Sequence, residues 1–222
     1  MADTAGGRIP IRNLVLVPAV ITLGITLLRL VGELMRWSET LFNRSAGGGF
    51  AIVGIVWLVP VFGVYFALKL AAMGHRPARL GRAIGLITLG LLILPVTVAL
   101  GRVLQLAPGR GWILLFTVGS LIGLGLAYQG WPALGGTLVA YGLAARIPVA
   151  VIMLLAIFGN WGTHYELGPP DFPAMAPLAK WVWIGLVPQM TLWMAFTVIV
   201  GGLVGSLAVA VMRRGSRNPT IA

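Results

Sequence analysis

The chain contains no cysteine, only five acidic residues and only two histidines among 222 residues. Without cysteine there is no disulfide, no thiolate nucleophile, no Cys-ligated zinc and no iron–sulfur cluster, although the cellular compartment stays open. Both histidines lie outside the apolar runs, so no axial pair is available to hold a haem inside a membrane. The sequence carries no phosphate-binding GxxxxGK loop, no GxSxG nucleophile elbow and no HExxH helix. Carboxylates within apolar runs are also missing, apart from Glu33 at the edge of one, and this weighs against ion-driven transport. No catalytic residue, metal or cofactor is expected from the motifs. Lysine is scarce too: 14 of the 16 basic residues are arginine. With abundant Gly and Ala, that bias suggests a GC-rich bacterial genome and hence a bacterial inner membrane.

What is present is apolar surface. Hydrophobic residues make up 59% of the chain, charged residues 9%, and the mean hydropathy is +0.97. That is more apolar area than a soluble domain of this length could bury, so lipid must cover much of it. Six runs stand out, at 14–33, 50–73, 83–104, 112–128, 134–158 and 181–212. About 20 residues of helix suffice to cross the hydrocarbon core. The runs are continuous rather than alternating, which favours helices over barrel strands. The expected fold is all-α: one domain over 1–222, a polytopic bundle of six spans. The turn Gln129-Gly130-Trp131-Pro132 carries no charge and could belong to a re-entrant segment instead.

The net charge of +11 does not point to nucleic acid, because the basic residues are scattered among spans and loops. They suit topology signals and contacts with lipid headgroups. Arg8 and Arg12, then Lys69, Arg76, Arg79 and Arg82, then Arg213, Arg214 and Arg217 share one side only if the span count is even. That side should be cytoplasmic, with both termini on it. The opposite side receives Arg36, Arg44, Arg102, Arg110 and Lys180 together with Glu33, Glu39, Glu166 and Asp171. The first run is too long for a signal-peptide core and lacks a nearby small-x-small cleavage site, so an uncleaved span is expected. Asn43-Arg44-Ser45 matches a glycosylation sequon and is assigned no role. Gly81/Gly85, Gly119/Gly123 and Gly201/Gly205 are spaced for close helix packing. Pro60, Pro95, Pro148 and Pro188 are expected to kink their spans.

Three polar groups need an explanation. Arg146 sits near the middle of the fifth run with no carboxylate at its depth, at a cost of roughly 2.5–3.5 kcal/mol on insertion scales. Backbone carbonyls freed by Pro148, a bound anion, or a shallower re-entrant position would each resolve it. A guanidinium fork suits an oxyanion, and Tyr141 is grouped with it as a candidate contact. Arg29, Glu33 and Arg36 follow at i, i+4 and i+7, a spacing that permits an ion-pair cluster at the end of the first span. The loop 160–173 gathers Trp161, His164, Tyr165, Glu166, Asp171 and Phe172. Its prolines and aromatic residues describe a cap packed over the bundle, with Trp161, Tyr165 and Phe172 substantially buried. A metal held by His164, Glu166 and Asp171 is the alternative, on a spacing that matches no metal signature.

The function expected from these groups is binding of an anionic or amphipathic small molecule in an outward-facing cavity, as a transporter or its substrate-binding component. The ligand contacts would come from Arg146, Tyr141, Arg29, Glu33, Trp161, His164, Tyr165 and Glu166. Two alternatives stand beside it. One is a non-catalytic subunit or assembly factor of a larger membrane complex, or a homo-oligomer. The other is a membrane enzyme acting on a lipid.

Overall fold

The computed structural model describes residues 9–49, 51–170 and 172–215. Of the residues named so far, Arg8, Phe50, Asp171 and Arg217 lie outside that set. Every regular element among the described residues is helical: α1 (Ile11–Leu34), α2 (Leu58–Ala72), α3 (Leu80–Val103), α4 (Arg110–Gly130), α5 (Pro132–Gly159), α6 (Pro177–Lys180), α7 (Val187–Met190) and α8 (Leu192–Gly215). A π-helical segment, Trp181–Leu186, joins α6 to α7. Helices α1, α3, α4, α5 and the composite stretch Pro177–Arg213 are long and apolar enough to cross a membrane, and α2 is a shorter apolar helix. The protein is a helical membrane bundle of about six spans.

Backbone chemistry sets the ends. Helices α1, α2 and α3 each close with a left-handed residue, Arg36 (φ 54°), Gly74 (φ 85°) and Gln105 (φ 51°). In each, the next amide reaches back to the final turn: Trp37 to Gly32, His75 to Leu70 and Leu106 to Gly101. This closure satisfies carbonyls that a helix end otherwise leaves unpaired. The second span is shorter than 50–73 because Gly49 and Gly54 disfavour helix and Pro60 fits only the first turn of one. The sixth is longer than 181–212 and is interrupted at Thr191 (φ −120°, ψ −75°), three residues after Pro188.

Helix α5 and the sixth span form the interior, with 50% and 56% of their most apolar windows buried against 22% for α3 and α4. Glycine permits the closest approaches. A Cβ on Gly205 would come within 2.5 Å of the Gly63 carbonyl, and one on Gly123 within 2.8 Å of the Gly90 carbonyl. Gly81 and Gly85, in contrast, have nothing within 4 Å. The two ends are then fixed by contacts. Trp131, 1% exposed, donates its indole N–H to the His75 carbonyl at 2.8 Å. That bond ties the α4–α5 turn to the α2–α3 loop, so 129–132 is a tight turn between two full helices rather than a re-entrant segment. Loops 35–57, 104–109 and 160–176 gather at the opposite end.

Candidate functional site

At that opposite end Glu33 is 1% exposed and fully bonded. Its Oε1 accepts from Arg29 Nε at 2.8 Å and contacts His164 Nδ1 at 2.6 Å, while Oε2 accepts the His164 backbone N–H at 2.9 Å. Arg29 spends three of its four remaining donors on backbone carbonyls: Nη1 on Val53 (3.2 Å), Nη2 on Asn43 and Gly48 (both 3.1 Å). One side chain thus pins the 35–57 loop to α1, and one carboxylate pins the 160–173 loop. Arg36 takes no part. The left-handed turn that ends α1 carries it off the Glu33 face, and it is exposed. The i+7 contact allowed by helical spacing is replaced by His164, 131 residues away.

The 160–173 loop is ordered as a cap by its own hydrogen bonds. Glu166 accepts from the backbone N–H groups of Trp161 (2.8 Å) and Gly162 (2.7 Å), closing a turn entered through the left-handed Asn160. Tyr165 is 3% exposed and its ring lies 4.0 Å from that of His164. Phe172 is half-buried, but Trp161 is exposed at 36%, because the Glu166 bond holds its backbone at the rim and not its ring in the core. Burial holds the His164 imidazole below its ordinary pKa near 6.5; the Glu33 hydrogen bond opposes this and the Arg29 charge reinforces it. Burial likewise pushes the Tyr165 phenol up. Among the described residues no three His, Asp or Glu side chains converge as metal ligands. His164 Nδ1 and both Glu166 carboxylate oxygens are already engaged in hydrogen bonds.

Arg146 is 3% exposed in the middle of α5 and makes no hydrogen bond or ion pair among the described residues. The carbonyls near Pro148 do not serve it; Ala150 instead accepts the Trp181 indole N–H at 2.8 Å. Its guanidinium lies 4.9 Å from the centroid of the Trp193 ring, a cation–π contact that the π-face makes favourable in a desolvated setting. Tyr141, 1% exposed, bonds Thr22 at 2.9 Å and packs edge-on against Phe62, so it joins α1 to α5.

A cavity of about 770 Å³ lies between α4, α5, the α6–α7 stretch and the loops. Its wall is mostly aromatic and aliphatic, including Trp112, Phe116, Met153, Trp183 and Trp193. Polar groups are few: Thr117, Thr191, Gln189 and His164. Gln189 donates weakly to Met153 Sδ at 3.7 Å and leaves its buried Oε1 without a partner among the described residues. Of the eight residues singled out from sequence, His164 and Tyr165 line this space. Arg146 lies one layer beneath it, behind Trp193. Arg29, Glu33 and Glu166 shape its loops, and Tyr141 and Trp161 stand apart from it. Sequence reasoning passed over Gln189, a polar residue in an apolar run beside Pro188, and the wall tryptophans. Fold and cavity together define a polytopic helical membrane protein with an apolar chamber at its loop-covered end. The chain matches no protein-family model, no curated protein and no solved structure.

Proposed function

We propose that this protein binds an amphipathic small molecule in the chamber at the loop-covered end, as a transporter or as the substrate-binding component of one. The observation that carries this is the cavity itself, whose 770 Å³ lies within the range of small-molecule sites, with an apolar wall and a handful of polar groups to orient a ligand. The Arg146 charge beneath Trp193 adds a positive field that favours an anionic head over a cationic one. Arg12, Lys69, Arg76, Arg79, Arg82 and Arg213 lie at the other end, which by the positive-inside rule supports a cytoplasmic placing of that end and an outward-facing chamber. The bacterial inner membrane is the proposed location, on composition alone.

The test is thermal unfolding of the protein in lipid nanodiscs with single-chain amphiphiles such as 4-decylphenol. A saturable rise in Tm is expected, and it should vanish when the cavity is filled by Ile113→Trp or Thr117→Trp. A rise that persists in both filled variants removes the chamber as the binding site. A second reading, as a subunit or homo-oligomer, is favoured by the unoccupied space beside Gly81 and Gly85 on α3. Cross-linking through single cysteines introduced at these positions tests it on a cysteine-free background.

A further inference from the structure

The Arg29–Glu33–His164 chain leaves one polar valence unused. Arg29 Nε and the His164 backbone N–H both donate to Glu33, which requires an acceptor on each oxygen and hence an ionised carboxylate. An ionised carboxylate cannot donate to the ring, so His164 Nδ1 carries the proton in the 2.6 Å contact. This fixes the tautomer, as a second carboxylate partner does for oriented imidazoles elsewhere. Burial favours the neutral ring at pH 7, so Nε2 is a lone-pair acceptor, and it makes no hydrogen bond among the described residues. His164 is part of the cavity wall, as are Tyr165, Leu167 and Gly47. An oriented acceptor in a mostly apolar wall gains most from a ligand that brings its own donor.

We propose that His164 Nε2 is the anchor for the head of the cavity's ligand, which is an apolar-bodied molecule ending in a hydroxyl. This rests on the binding function proposed above and assigns the chemistry of the ligand's polar end. Arg29 and Glu33 act as positioning residues: they touch no ligand and hold the ring in register. The hydroxyl donates to Nε2 while its apolar body lies along Phe116, Met153 and Trp183. An ether of the same shape has no proton to give and loses that bond alone.

The matched probes are 4-decylphenol and 4-decylanisole, titrated into nanodiscs holding the full chain, with affinities expressed per mole fraction in the bilayer. The wild type should hold the phenol about fivefold or more tighter than the anisole, the effect of one hydrogen bond. His164→Asn retains an N–H near the Nδ1 position for Glu33 and deletes Nε2. In that variant the preference should collapse to near parity while anisole affinity stays unchanged. Equal wild-type affinities, or a preference that survives in His164→Asn, overturn the anchor and leave the chamber as an apolar site. Binding of neither probe overturns the chamber, and the anchor with it. If the asparagine variant does not fold, Gln189→Leu removes the other acceptor of the wall that lacks a partner among the described residues: a preference that survives it keeps the anchor at His164, and one lost in it overturns that assignment.

Discussion

Two arginines in this bundle occupy opposite states. Arg29 uses four of its five N–H donors, on Glu33, Val53, Asn43 and Gly48, and it holds a loop to a helix. Arg146 has the same side chain, is more deeply buried, and makes no hydrogen bond among the described residues, where it meets the face of Trp193. The difference teaches that burial does not by itself mark a residue as structural or functional. What matters is whether the fold satisfies the buried group. Arg29 is held by partners that the fold itself supplies, whereas Arg146 leaves its buried Nε without a hydrogen-bond partner among the described residues.

The largest expected effect breaks the Arg29 side. Glu33→Ala leaves a buried guanidinium without its carboxylate and releases His164, and should cost roughly 3–5 kcal/mol of stability in thermal or denaturant unfolding. A loss below about 1 kcal/mol would mean that the carbonyl bonds alone hold Arg29. Next, Trp193→Leu removes the π-face and part of the cavity wall and should cost about 2 kcal/mol. In an Arg146→Met background the same change should cost about 1 kcal/mol less, and the double-mutant cycle reads the cation–π contact directly. Arg146→Met alone should change stability by less than about 1 kcal/mol in either direction, because the desolvated charge it removes offsets the contact it loses. A loss as large as that from Glu33→Ala would make the two arginines equivalent and end the comparison.

The smallest effect is a pH slope on the Arg29 side alone. His164 titrates lower in the folded protein than its ordinary value near 6.5, so on acidification the unfolded chain takes up the proton first. Stability is therefore full above that value and falls as pH drops from it toward the folded pKa. The groups facing the ring are Glu33 and Arg29 from α1 and Tyr165 from its own loop. His164→Asn should flatten the slope between pH 7 and 5 in unfolding experiments, while Arg146→Met should leave it unchanged.

The hydropathy runs located the spans because lipid imposes one rule on every crossing segment: apolar side chains outside and backbone bonds satisfied within. That rule does not separate helix from apolar loop. Residues 51–57 are as apolar as the helix that follows, and only the glycines before it and Pro60 in its first turn betray the later start at Leu58. Spacing also found Arg29 with Glu33, a local pair, and missed His164, since nothing local encodes a partner 131 residues away. Arg36 was assigned to the cluster on helical periodicity, but the helix ends at Leu34 and periodicity ends with it. Arg146 was conspicuous as a charge in an apolar run. Its partner was not, because a tryptophan on another span looks like any other lipid-facing or packed aromatic residue.

The π-helical stretch Trp181–Leu186 has a consequence for how this sequence tolerates insertions and deletions. An α-helix advances about 100° per residue, and a π turn holds one residue more than an α turn of the same span. Trp183 within the stretch, and Gln189 and Trp193 beyond it, all line the chamber. Deleting one residue from the stretch would let the ladder revert to ordinary α-helix and turn Trp183 by about that angle relative to the other two. The chamber's wall therefore depends on residue number at this point as much as on residue type, so a single-codon deletion here should be far more damaging than most substitutions.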